Sequence, residues 1–173
     1  MIKNVWICPG VFLLVKEFMS KGDKQNRPQC HLAKFSLLLQ SMIKLAILAS
    51  ANGTNAQAII EAVRAGRLDA DVKVVLTNKE DAGVIERARR LGVPVEIIPS
   101  KGIRNRAEYD ALVVEALRKY DVDTIALAGW MRILSEVFVN AYEGRILNLH
   151  PALLPSFKGA TAIVDAYEHG VRI

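Results

Sequence analysis

The part of the chain that reads as a folded domain lacks cysteine. Cys8 and Cys30, the two cysteines among 173 residues, both precede Met42. Downstream of Met42, thiol catalysis, thiolate metal sites and disulfides are excluded, and a reducing compartment, the cytoplasm, is the expected location. No apolar run approaches the ~18 residues of a membrane span, so no membrane partner is expected. Neither GxGxxG nor GxxxxGK[ST] occurs, which counts against NAD and ATP. No HExxH, CxxC or calcium-loop spacing is present, so no metal site is expected. An excess of one charge is also missing once the chain is divided. Residues 1–41 hold six basic and two acidic side chains, whereas residues 42–173 hold 17 and 16. The overall charge of +5 therefore belongs mostly to the first 41 residues, and the rest has no basic footprint for nucleic acid.

Residues 1–41 are expected to be an extension outside the fold. Val5–Val15 is apolar behind Lys3, but Pro9-Gly10 interrupts it and no small-residue cleavage site precedes the polar run 20–27. Disordered or artefactual read-through before a start at Met42 is one reading, and a membrane-surface or partner-binding arm is the other. Residues 42–173 suit one α/β domain, long enough to bury about 70% of its unfolded surface.

From Met42 the pattern alternates. Strands are predicted at Ile43–Ser50, Val72–Thr77, Val95–Pro99, Thr124–Ala128 and Ile146–Leu149. Between them run helical stripes: Ala56, Ile59, Ile60, Val63; Val84, Ile85, Ala88, Leu91; Tyr109, Leu112, Val113, Ala116, Leu117, Tyr120; and the short Glu136–Tyr142. Ile163, Ala166 and Tyr167 suggest one more helix. Strands apolar on both faces, alternating with helices, predict an open, doubly wound, mainly parallel sheet of about five strands covered on both sides. Such sheets bind ligands beyond the carboxyl ends of their strands, where the winding reverses.

Three loops lie there. In Ser50-Ala51-Asn52-Gly53-Thr54-Asn55, glycine and a helix start suit a phosphate, or the turn is only a turn and Thr54 or Asn55 caps the helix. In Gly129-Trp130-Met131-Arg132-Ile133-Leu134, an apolar slot with exposed backbone suits a flat heteroaromatic ligand. Alternatively Trp130 and Ile133 pack in the core and Arg132 lies in solvent. In Asn148-Leu149-His150-Pro151, residues two apart on a strand share a face. A carboxamide beside an imidazole is an oxyanion holder beside a proton shuttle, although single histidines are more often structural. His31 and His169 read as bystanders.

The strings ASANGTN, AGWMRILS and NLHPALLPSFKGA, in this order and spacing, resemble the phosphoribosylglycinamide formyltransferase family of purine biosynthesis. The likeness covers Met42–Ile173, including Thr77-Asn78-Lys79 and Glu86-Arg87-Ala88-Arg89. It implies a formyltransferase-like fold and transfer of formyl from 10-formyltetrahydrofolate, as co-substrate and without metal, to the amine of glycinamide ribonucleotide. It implies that Gly53, Thr54 and Asn55 hold the substrate phosphate. Arg106, Met131, Arg132, Ile133, Leu134 and Asn148 would contact the folate, while Asn148 would hold the formyl oxygen and His150 donate a proton. Small molecules are the expected partners, and oligomeric state is not read from the sequence.

Departures accompany the likeness. Ala51 stands where the family commonly has Gly, Thr161 where it has a second His, and Lys158 where Pro is common. The family's closing strands, with the Asp that orients the histidine, are not matched, so impaired activity is expected. The rivals are a formyltetrahydrofolate hydrolase, whose family usually has another His where Pro151 stands, methionyl-tRNA formyltransferase, and a non-catalytic phosphate- or folate-binding module.

Overall fold

The computed structural model describes residues 42–152, 154–159 and 161–172. The expected extension at 1–41, with Cys8, Cys30 and His31, lies outside the described residues. Among the described residues, five strands alternate with five helices. In chain order they are β1 (Ile43–Leu48), α1 (Thr54–Arg64), β2 (Ala70–Thr77), α2 (Val84–Arg90), β3 (Val95–Ile97), α3 (Arg106–Arg118), β4 (Thr124–Leu127), α4 (Glu136–Ala141), β5 (Ile146–Asn148) and α5 (Ala162–Glu168).

The strands form one parallel sheet in the order β3-β2-β1-β4-β5. The chain steps outward from β1 to β3, then returns to the other side of β1 for β4 and β5. The winding therefore reverses between β1 and β4. Burial on both faces explains why β1 is apolar apart from Lys44 near its start. Leu45, Ile47 and Ala49 pack with Ala56 and Ile60 of α1 and Val84, Ile85 and Ala88 of α2. Ala46 and Leu48 pack on the opposite face with Tyr109, Val113 and Leu117 of α3 and Phe138 of α4. The expected doubly wound α/β architecture is thus present, with helices on both faces.

Most differences from the sequence reading are at element ends. β1 closes at Leu48, β3 at Ile97 and β5 at Asn148, because the chain turns into loops there. Two differences concern faces. Leu112 is not part of the buried stripe of α3, which runs through Tyr109, Asp110, Val113, Val114, Ala116 and Leu117 and leaves Leu112 half-exposed. On α5, Ile163, Val164 and Tyr167 are exposed, and Ala162 is the buried residue.

Candidate active site

The turn after β1 is seated on the start of α2. Gly53 adopts φ 74°, and its carbonyl accepts from the Gln57 amide at 2.9 Å to begin α1. A Cβ at Gly53 would lie 2.4–2.7 Å from Val84 atoms, so only glycine fits there. The Val84 amide in turn donates to the Ala51 carbonyl at 3.2 Å. Gly53 occupies the cap position of α1, and no side chain caps this end, so neither Thr54 nor Asn55 does so. Both side chains are exposed and make no hydrogen bond among the described residues. The amides and dipole of an 11-residue helix face outward beside them. An open cleft lined by Asn52, Gly83, Glu86, Arg87 and Arg90 adjoins the turn. Arg87 reaches across it to the Gln57 side-chain oxygen of α1.

The loop after β4 lies next to this turn, across the winding reversal. Trp130 is buried, while Met131 and Ile133 are 70% and 72% exposed. Arg132 does not point into solvent. Its guanidinium sits 4.1 Å from the ring centroid of Tyr109 on α3, a cation–π contact. Of the simple packing alternative, only the Trp130 part holds. The Tyr109 hydroxyl donates to the Ile98 carbonyl at 2.7 Å. Burial pushes its pKa up to about 12, with Arg132 opposing the shift and Asp110 adding to it. Leu134 packs against the α3–α4 layer.

Three polar residues not singled out in the sequence hold these loops and the start of α3. The Ser50 hydroxyl accepts from the Met131 amide at 2.9 Å, and its amide donates to the Gly129 carbonyl at 3.0 Å. Asp110, buried on α3, accepts from the Ser135 amide at 2.6 Å. Asn105 caps α3 by accepting from the Ala107 amide at 3.0 Å and donates to Glu108 at 2.9 Å. Arg106 follows this cap, exposed, one turn before Tyr109. A carboxylate on an otherwise apolar stripe, and Asn with Glu three residues on, were the available signals for Asp110 and Asn105. Ser50 offered none beyond its place at the end of an apolar run.

Asn148 ends β5 and His150 follows two residues later, both half-buried. Ile146 packs in the α3–α4 layer and Leu149 against the α1–α2 layer, so alternation puts Asn148 on the Ile146 side. His150 Nε2 lies 2.6 Å from the Phe157 carbonyl. A carbonyl only accepts, so Nε2 carries the proton in this contact. No Asp or Glu bonds to His150 among the described residues. β5 is separated from β1 by β4 alone, which places its carboxyl end about 10 Å from that of β1. All three loops thus leave one edge of the sheet. Among the described residues no cluster of three or more His, Cys, Asp or Glu is placed to hold a metal ion.

A parallel α/β domain with these loops at its winding reversal belongs to the formyl transferase family, whose profile, described as formyl transferase, matches residues 43–173. Within that family it is similar to the phosphoribosylglycinamide formyltransferase of Bacillus subtilis, at 38% identity over 132 residues. That match covers 76% of this chain and 68% of the relative. The human trifunctional purine biosynthetic protein adenosine-3 is 40% identical over 130 residues, covering 75% of this chain and 13% of the relative. Among solved structures, glycinamide ribonucleotide transformylase 1 from Symbiobacterium toebii superimposes with a TM-score of 0.72 at 43% identity. There the match covers 75% of this chain and 61% of that one.

Proposed function

We propose that this chain carries the substrate-binding and proton-handling half of a phosphoribosylglycinamide formyltransferase. The reaction moves a formyl group from 10-formyltetrahydrofolate to the primary amine of glycinamide ribonucleotide. The carrying observation is the convergence of Gly53–Asn55, Met131–Leu134 and the Asn148/His150 pair on one carboxyl edge, around the reversal between β1 and β4.

The substrate phosphate sits at the Gly53 turn, on the first amides of α1, with the free Thr54 and Asn55 side chains as further donors. The pterin lies against Met131 and Ile133, whose exposed apolar surfaces suit a flat ring, and the backbone between them supplies hydrogen bonds. Arg106 and Arg132 contribute positive charge on the folate side. The substrate amine attacks the formyl carbon, and the carbonyl oxygen gains negative charge. Asn148 donates a hydrogen bond to that oxygen, the attacking nitrogen gives up one proton and His150 supplies one to the tetrahydrofolate nitrogen, so the carbon–nitrogen bond to tetrahydrofolate breaks with a neutral leaving amine and a neutral formamide product. Orientation of the two substrates provides much of the rate. No metal takes part in this reading, and the cytoplasm is the expected location.

The state of His150 sets an expectation for rate. Its partner here is a carbonyl, which fixes a tautomer but does not stabilise the imidazolium as a carboxylate does. Turnover by the 173-residue polypeptide is therefore expected to be slow. The test is 10-formyltetrahydrofolate-dependent formylation of glycinamide ribonucleotide by the purified chain. His150→Ala and Asn148→Ala are each expected to lower turnover about 100-fold or more. Variants that match the parent chain would refute these roles, and binding of both substrates without turnover would favour a non-catalytic module.

A further inference from the structure

Packing holds the segment Met131–Leu134 only at Arg132, over the Tyr109 ring, and at Leu134, against the α3–α4 layer. Met131 and Ile133 present most of their surface to solvent, so the path of the Met131 peptide depends on how the ends of the segment are fixed. Both ends are fixed by buried polar side chains from elsewhere in the chain. At the downstream end, Asp110 of α3 accepts from the Ser135 amide at 2.6 Å. At the upstream end, Ser50 grips the corner on either side of Trp130, donating its amide to Gly129 O at 3.0 Å and accepting the Met131 amide at 2.9 Å. Ser50 is 1% exposed, so this hydroxyl has no solvent to replace the bond.

We propose that Ser50 is a positioning residue for the folate co-substrate: its buried hydroxyl sets the Met131 peptide, and through it the ligand-facing backbone of residues 131–134. The inference rests on the assignment of that segment to folate. It separates Ser50 from its neighbours in the same stretch of chain. Gly53, three residues on, shapes the phosphate turn by fitting its bare backbone against Val84, and that contact does not involve the Ser50 hydroxyl. Removal of the hydroxyl therefore loosens one half of the site and spares the other. Replacement by threonine keeps the acceptor, whereas cysteine keeps the volume but offers a weak one.

The experiment uses the 173-residue chain with 5,8-dideazafolate and ribose 5-phosphate as probes, titrated separately by calorimetry, together with amide hydrogen exchange. In Ser50→Ala, the Met131 amide is expected to exchange at least about tenfold faster, and the Ala128 amide, which donates to Leu48 O, to be unchanged. The dissociation constant for 5,8-dideazafolate rises about five- to tenfold, that for ribose 5-phosphate changes less than about twofold, and Ser50→Thr returns both to parent values. Dideazafolate affinity within about twofold of the parent, or an equal loss for both probes that threonine does not rescue, overturns the proposal. Should Ser50→Ala fail to fold, Ser50→Cys decides by the same selective loss or its absence. A parent chain that binds ribose 5-phosphate and not dideazafolate refutes the folate assignment instead, and Met131 exchange alone then decides whether Ser50 sets this corner.

Discussion

The turn after β1 and the loop after β5 both leave the same edge of the sheet, but they are held by different means. The first is fixed mainly through backbone: Gly53 fits closely against Val84, the Val84 amide donates to Ala51 O, and the Ser50 amide donates to Gly129 O. The second follows a three-residue strand at the end of the described sheet order. The Leu149 amide ties it to Leu127 O at 3.3 Å, His150 lies against the Phe157 carbonyl, and the Phe157 ring is edge-on to His169 at 5.7 Å between centroids. Beyond it, Ile163, Val164 and Tyr167 of α5 face outward and only Ala162 of that helix is buried. The division matches the chemistry proposed for each. A phosphate cradle gains from rigidity, because its donors are then oriented before the anion arrives. The proton-handling pair sits where side chains, not packed backbone, set the geometry.

The largest test compares a glycine in each region. Gly53 and Gly159 both have positive φ, at 74° and 97°. An added Cβ at Gly53 meets Val84, whereas one at Gly159 meets nothing within 4 Å. Gly53→Ala is therefore expected to lose about 3–4 kcal/mol, combining backbone strain with a clash inside the core. Gly159→Ala loses about 1 kcal/mol, from strain alone. Urea unfolding of the two variants measures the gap, and equal losses would show that the two loops are held alike. Gly53→Ala is also expected to abolish ribose 5-phosphate binding.

The same division decides what the sequence made legible. Apolar periodicity placed the strands and helices of the described residues, because burial on both sides of a parallel sheet keeps the middle of its strands apolar and leaves charge to strand starts and edges, as at Lys44, Asp71 and Glu96. Asn148 at the carboxyl end of β5 was legible too, since the run from Ile146 marks that strand. The contacts that shape the site were not. Ser50 meets Met131 across 81 residues of sequence, and Asp110 meets Ser135 across 25. Each is a buried polar group whose partner is a backbone amide, and backbone amides carry no sequence signature. Arg132 reads as solvent-facing for the same reason. Its place over Tyr109 depends on how α3 crosses the sheet, and no local pattern records that. α5 failed in the opposite direction. Its stripe of Ile163, Ala166 and Tyr167 has helical spacing, and helical spacing does not say which face is covered.

A second, smaller effect probes the packed region through pH. Tyr109 has no solvent exposure, and its hydroxyl, held neutral by burial, titrates near 12 against about 10 in an unfolded chain. Its contribution is complete below pH 10. Between pH 10 and 12 the unfolded chain releases this proton and the folded chain keeps it, so stability falls as pH rises. The fall is about 2–3 kcal/mol across that window. Tyr109→Phe removes this component of the slope. At neutral pH the variant loses about 1 kcal/mol, since the Ile98 carbonyl no longer receives its 2.7 Å hydrogen bond. Denaturant midpoints at pH 8, 10 and 11.5 for the two proteins separate the terms. An unchanged slope would mean that the ring is not enclosed beneath Arg132, and the contrast between the two regions would lose its best-packed member.

The smallest effect is expected on α5. Ile163 is 63% exposed and Val164 54%, so a polar replacement at either removes little buried surface. Isoleucine, valine and serine also have similar helix propensities, so Ile163→Ser and Val164→Ser leave the backbone preference nearly unchanged. Each is expected to shift stability by no more than about 0.5 kcal/mol. Phe138→Ala is the control in the packed layer. That ring has no solvent exposure and stacks obliquely on Tyr142 at 5.4 Å, so its loss is expected to cost about 3–5 kcal/mol. A loss above about 1 kcal/mol at Ile163 would mean that this face is covered in the folded protein. In that case the loop carrying His150 is braced by packing from its far side, and the difference between the two regions becomes one of degree.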